Sequence, residues 1–133
     1  LAYTEEDLKT FLMPLVDAGI DMFHASNRRY WEPEFEGSNL NLAGWTKKLT
    51  GLPTITVGSV GLKSDFIGLY AGEDAVESQS IDDLVKRMEA DEFDMVAIGR
   101  ALLSDPEWVK KVKAGDFEEI IPFEKKYARE VYF

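Results

Sequence analysis

Three observations predict an α/β fold with parallel strands. Short apolar segments alternate along the chain with segments of helical periodicity. The apolar segments carry almost no polar interruption, as strands covered on both faces do. The helix-stopping positions Gly19, Gly51 and Glu92 recur at roughly 30- to 40-residue intervals, near the length of one βα unit in a barrel of about 250 residues.

The elements follow in order. Thr4 is placed to cap a helix whose first turn carries Glu5, Glu6 and Asp7, acids that suit the positive end of a helix. Leu8, Phe11, Leu12 and Leu15 form its apolar face, Pro14 should kink or split it, and Gly19 should end it. Ile20 to Ala25 then reads as a buried strand. The same pattern repeats. Ser38 or Asn39 opens a helix through Leu42, Trp45 and Leu49, Gly51 closes it, and Pro53 to Val57 is a β-branched strand running into Gly58-Ser59-Val60-Gly61. A third unit has Ser80 as cap, Ile81, Leu84, Val85 and Met88 as apolar face, and Asp94 to Ile98 as a strand ending in Gly99-Arg100. Asp105-Pro106 starts a last helix, with Trp108, Val109 and Val112 on its apolar side and Gly115 at its end. Two long segments, Asn27–Gly37 and Leu62–Gln79, each directly follow a strand. In a barrel such loops build the active-site rim.

Three strands cannot close a barrel, because both edges stay open. The expectation is therefore the C-terminal portion, about three βα units, of a (β/α)₈ TIM barrel spanning residues 1–133, with about five units upstream. The first residue, Leu1, fits a fragment in the same way.

Composition narrows the chemistry. The chain of 133 residues carries 25 acidic and 15 basic side chains, a formal charge of −10. A balance that acidic argues against generic binding to nucleic acid or to anionic membranes. With no cysteine, disulfides, thiol nucleophiles and cysteine-ligated metals within the chain are excluded. One histidine, His24, cannot supply a histidine-rich zinc site, so no metal is expected. No apolar run approaches the ~20 residues that span a bilayer. No signal peptide is visible either, so a cytoplasmic location is expected.

The candidate chemistry lies at two junctions. Gly58-Ser59-Val60-Gly61 follows one strand, and its small residues let backbone N–H groups approach an anion. Gly99-Arg100 follows the next, and the forked Arg100 guanidinium matches phosphate oxygens. If these are the last two barrel strands, they coincide with the phosphate site that recurs there. The pattern alone leaves a second reading open: a tight glycine turn, and an arginine paired with a surface acid.

Two stretches, FHASNRRYWEPEFEGSNLNLAGWTKKLTGLPTITVGSVGL and DEFDMVAIGRALLSDPEW, resemble the C-terminal region of old yellow enzyme-like NADH:flavin oxidoreductases. The likeness runs from about Thr4 to Gly115, and the pairing of VGSVG with VAIGRALLSDPEW is its specific part. The resemblance implies an FMN-binding (β/α)₈ barrel that takes hydride from NADH or NADPH and passes it, through flavin N5, to activated alkenes. It implies that Gly58, Ser59, Gly99 and Arg100 hold the FMN phosphate. The carbonyl-binding pair and the proton-donating tyrosine of the family lie on earlier strands, and nothing here matches them. The chain alone is therefore expected to be inactive, with its catalytic residues upstream.

Other polar and aromatic residues are weighed against packing. His24 is expected to be a core or barrel-end histidine. Arg28 and Trp31 could shape substrate access or simply pack in their loop, whereas Arg29 is expected to pair with Glu32, Glu34 or Glu36. Tyr30 and Tyr70 match no proton-donor motif. Trp45 should be core, and Lys47, Lys48, Lys110, Lys111 and Lys113 solvated helix surface. The cysteine-free tail favours a single-domain parent of roughly 340–400 residues over relatives that append an iron–sulfur cluster. The aromatic tail Phe117–Phe133 should pack on the barrel exterior or on a neighbouring subunit. Two further readings stand beside this one: another phosphate-binding barrel enzyme, such as an aldolase or isomerase of phosphorylated sugars, and a non-catalytic partial barrel that self-associates. The expected partners are FMN, a small alkene substrate, the upstream barrel segment and a second copy in a homo-oligomer.

Overall fold

The computed structural model describes residues 2–63, 75–76 and 78–129. The chain divides into two compact units, residues 1–58 with 82–97 and residues 59–81 with 98–133.

The first unit holds a parallel three-stranded sheet. Helix α1 (Glu5–Asp17) begins at Thr4, whose hydroxyl accepts from the Asp7 N–H while the Asp7 carboxylate accepts from the Thr4 N–H. The Thr4 cap is the one the sequence signals; the return bond to Asp7 makes it reciprocal. Pro14 does not split the helix; it lies near the end, where only one backbone donor is lost before the chain stops at Ala18 and Gly19. Strand β1 is Phe23–Ser26, so the chain becomes regular three residues later than Ile20. Helix α2 is Leu42–Thr50 and strand β2 is Thr54–Val57. The cap of α2 is Asn41, not Ser38 or Asn39: its side chain accepts from the Gly44 N–H, while the Ser38 hydroxyl accepts from the Leu40 N–H in the preceding turn. In the second unit, strand β3 is Ala75–Val76. Back in the first, helix α3 is Asp82–Glu89 and strand β4 is Met95–Val96. β4 is shorter than the expected Asp94–Ile98.

β2 is central, pairing in parallel with β1 and β4, with Ala25 opposite Thr56 and Thr56 opposite Val96. Side chains alternate along a strand, so Phe23, Ala25, Thr54 and Thr56 share one face. That face meets the helices. Leu8, Leu12 and Trp45 form a buried cluster with Phe23, Phe35, Leu40, Leu42 and Leu49 around it. Trp45 is thus core, as expected. The other face carries His24, Ser26, Ile55, Val57 and Met95, and none of these is buried. Of the two places expected for His24, core or barrel end, it is not in the core of this unit: it is exposed, because its strand position points away from the helices.

Polar ties lock this unit. Lys47 bonds the carboxylates of Asp91 and Asp94 at 2.5 and 3.0 Å, and the second oxygen of Asp94 accepts from the Thr54 N–H at 2.8 Å. Lys47 is therefore not a solvated surface lysine; it ties α2 to the segment that leads into β4. The partners raise its pKa against the effect of burial, and the Thr54 N–H leads in lowering that of Asp94.

The second unit is built from shorter pieces. Helix α4 is Arg100–Ser104, α5 is Trp108–Ala114, a 3₁₀ turn covers Phe117–Glu119, strand β5 is Phe123–Glu124 and α6 is Lys125–Arg129. β3 pairs antiparallel with β5, an arrangement that periodicity did not reveal. Arg100 opens a helix rather than ending a strand. Helix α5 starts at Trp108 with Glu107 at its cap, later than Asp105-Pro106 predicts; Asp105 ends α4 and accepts from the Glu107 N–H at 3.1 Å in the turn between the two helices. Its other oxygen takes Lys111 at 2.8 Å and the Ile121 N–H at 3.0 Å. Burial pushes the Asp105 carboxyl up, but Lys111 and these two N–H groups outweigh it and hold it below the usual range. Lys111 is thereby a structural partner, not solvated surface. Lys110 meets the expectation, being largely exposed beside Glu107.

Candidate functional site

The glycines of the VGSVG turn have separate reasons to be glycine. Gly58 closes the first unit at φ 139°, and a Cβ there would lie 2.7 Å from the carbonyl oxygen of Asn27. The loop after β1 crosses directly over it, and the Tyr30 N–H donates to the Gly58 carbonyl at 3.0 Å. Gly61, in the second unit, sits at φ 70°, with the Trp108 ring 2.9 Å from where a Cβ would be. Both positions are fixed by close approach of the protein to itself.

Ser59 and Gly99 are different. Ser59 has φ 52°, a left-handed conformation that non-glycine residues rarely adopt. Its carbonyl accepts from the Leu62 N–H, which closes the turn at 3.0 Å. Its hydroxyl accepts from Arg100 Nη2 at 3.2 Å. At Gly99 a Cβ would meet no heavy atom within 4 Å among the described residues. Within the second unit, then, the turn after β2 and the segment after β4 come together: a serine in a left-handed turn, a guanidinium bonded to it, and beside the guanidinium an uncrowded glycine main chain. That donor set and that open approach suit a phosphate group.

Phe123 adds a residue that sequence reading missed. Its ring is fully buried, packs with Leu62 and lies 5.7 Å from the Arg100 guanidinium carbon. Only the aromatic content of the tail hinted at it. Phe117, by contrast, is half exposed.

Around the loop after β1, the expected residues separate. Arg29 pairs with Glu32 at 2.6 Å, the structural role anticipated for it. Arg28 is exposed, and Trp31 is half-buried edge-to-face against Tyr30, with ring centroids 5.1 Å apart. Tyr30 itself is buried; burial first, then the Asp83 carboxylate, raises its pKa. Its carbonyl accepts from Asn41 Nδ2 at 2.7 Å, and the same nitrogen donates to the Thr56 hydroxyl at 3.1 Å. One buried asparagine thus caps α2, pins the loop and contacts β2. Tyr70 lies outside the described residues. Among the described residues no three His, Asp or Glu side chains gather as a metal site, and no helix is long and apolar enough to cross a membrane.

No family model matches the chain. Over 125 residues, 88% of its length, the chain is 33% identical to a protein named NADH oxidase from Thermoanaerobacter brockii. The match covers 16% of that protein, so the chain spans a small part of the relative it resembles.

Proposed function

We propose that this chain is a segment of an NAD(P)H oxidoreductase in which Ser59, Gly99 and Arg100 hold the phosphate of FMN. The observation that carries the reading is the Ser59–Arg100 hydrogen bond of 3.2 Å beside the α-carbon of Gly99, which no described residue crowds. The likeness to an NADH oxidase supports the oxidoreductase class. The three parallel strands, each preceded by a helix, are compatible with the last part of a (β/α)₈ barrel, and the finer reading is an old yellow enzyme-like barrel. Its sheet face of His24, Ser26, Ile55, Val57 and Met95 would then line the barrel interior.

The residues present fit a phosphate group. Arg100 supplies a fixed positive charge, and the Ser59 hydroxyl holds one of its nitrogens in place. The Gly99 main chain allows the anion to come close. Gly58, the residue before Ser59, stays an expectation of the resemblance. When bound, FMN supplies hydride transfer between NADH or NADPH and an acceptor such as an activated alkene. Arg28 and Trp31 are proposed to border access to the acceptor, with Trp31 steadied by the Tyr30 ring.

The test is to purify the full-length polypeptide that carries this chain, denature it and identify the released cofactor by mass. FMN is the expected result. A colourless protein that binds a phosphorylated sugar would replace this reading with that of an aldolase or isomerase. The mass of the same polypeptide would also decide between a single barrel and a longer parent, since the matched stretch is only 16% of the Thermoanaerobacter brockii protein.

A further inference from the structure

We infer that Phe123 is a positioning residue for Arg100, so that the C-terminal segment is a working part of the phosphate site. The inference rests on the phosphate reading above and adds to it a residue well beyond either strand junction.

Three contacts set the register of this segment. The Ser104 hydroxyl donates to the Ile121 carbonyl at 3.2 Å, the Ile121 N–H donates to Asp105 at 3.0 Å, and Lys111 donates to the Glu119 carbonyl at 2.8 Å. All three partners follow Arg100: Ser104 on α4, Asp105 at the end of that helix and Lys111 on α5. The segment is therefore fastened to the short stretch of chain that carries the arginine. Two residues beyond Ile121, Phe123 is delivered opposite the guanidinium, and the pairing of Val76 with Phe123 holds its backbone.

Phe123 also touches the second half of the site. It packs on Leu62, whose N–H closes the Ser59 turn. One buried ring thus supports both the turn that presents Ser59 and the cation bonded to it. A guanidinium within about 6 Å of an aromatic face is attracted by the ring quadrupole. Stacking of that kind engages the face of the guanidinium rather than its N–H edge. An arginine already held by a ring and a hydroxyl loses less freedom when phosphate arrives, and affinity rises accordingly.

The test compares FMN with riboflavin, which lacks the phosphate, in equilibrium binding to the full-length apoprotein. Phe123→Leu and Phe123→Met keep most of the apolar volume and remove the ring. Each should weaken FMN binding by roughly three- to tenfold and leave riboflavin binding unchanged. In an Arg100→Ala background the same substitutions should add nothing, because the cation they position is gone. If Arg100→Ala weakens FMN binding while both Phe123 variants bind it as the native protein does, the inference fails and the phosphate reading stands. Equal losses for FMN and riboflavin would mean that Phe123 is only packing, which also overturns it. If Arg100→Ala leaves FMN binding unchanged, the phosphate reading fails and takes this inference with it.

Discussion

The unit built on the parallel sheet and the unit that contains Ser59 and Arg100 are stabilised by different means. The first has a 13-residue helix, a 9-residue helix and a buried cluster centred on Trp45. The second has no helix longer than the seven residues of Trp108–Ala114 among its described residues. Its fully buried ring, Phe123, clusters with Leu62, and a single carboxylate, Asp105, ties together α5, Lys111 and the chain at Ile121. Longer helices packed on a sheet, with polar ties between them, hold the scaffold, while a small apolar cluster and a few directed polar bonds hold the candidate site. Directed bonds fix atoms more narrowly than apolar contact does, and anion recognition needs that narrowness.

Substitutions can break this contrast from either side. Trp45→Ala should have the largest effect, about 3–5 kcal/mol, through lost burial and an unfilled cavity. Hydrogen exchange should rise in peptides of residues 1–58; protection unchanged there would remove Trp45 from the core. Next is Asp105→Ala, expected to cost about 3 kcal/mol because it leaves the Lys111 ammonium and the Ile121 N–H without their acceptor. Its exchange signature should centre on residues 98–124, and a uniform response across the chain would erase the contrast. Asn41→Ala should cost about 1–2 kcal/mol, since it removes a helix cap and strands the Tyr30 carbonyl. A loss confined to α2, with the loop at Tyr30 unaffected, would contradict the triple role assigned to Asn41.

The smallest effect is the acid limb. The folded pKa of Asp105 lies below its unfolded value, so its contribution is complete above about pH 5. That contribution declines as pH falls through the unfolded and then the folded pKa. Asp105→Asn should therefore flatten the decline in stability below about pH 5 in an acid titration. A native slope in the variant would show that other carboxylates set it.

Legibility in the sequence follows the same division. The caps and stops that depend on neighbours a few residues away were readable: Thr4 at the start of α1, Gly51 in its left-handed turn, and Gly115 at the end of α5. The periodic apolar face gave Leu8, Leu12 and Trp45 as core. Exposed Phe11 and Val109 lie on the same predicted faces, because a helical period marks a face but not what covers it. Ion pairs across 44 or 47 residues, such as Lys47 with Asp91 and Asp94, leave no local signal, and the lysine looked like solvated surface. The β3–β5 pairing and the place of Phe123 depend on contacts of the same kind, so the far side of the candidate site was not readable. Ser59 and Arg100 were singled out by their motif, but only coordinates could separate Ser59 from Gly58 and Gly61, whose small size the chain itself requires.

The most direct measurement is the affinity of FMN and of riboflavin for the full-length apoprotein with and without Arg100→Ala. Loss of charge-assisted bonds to the phosphate should weaken FMN by about ten- to a hundredfold and leave riboflavin, with no phosphate to hold, at its native affinity. FMN bound equally well by the variant and the native protein would contradict the account.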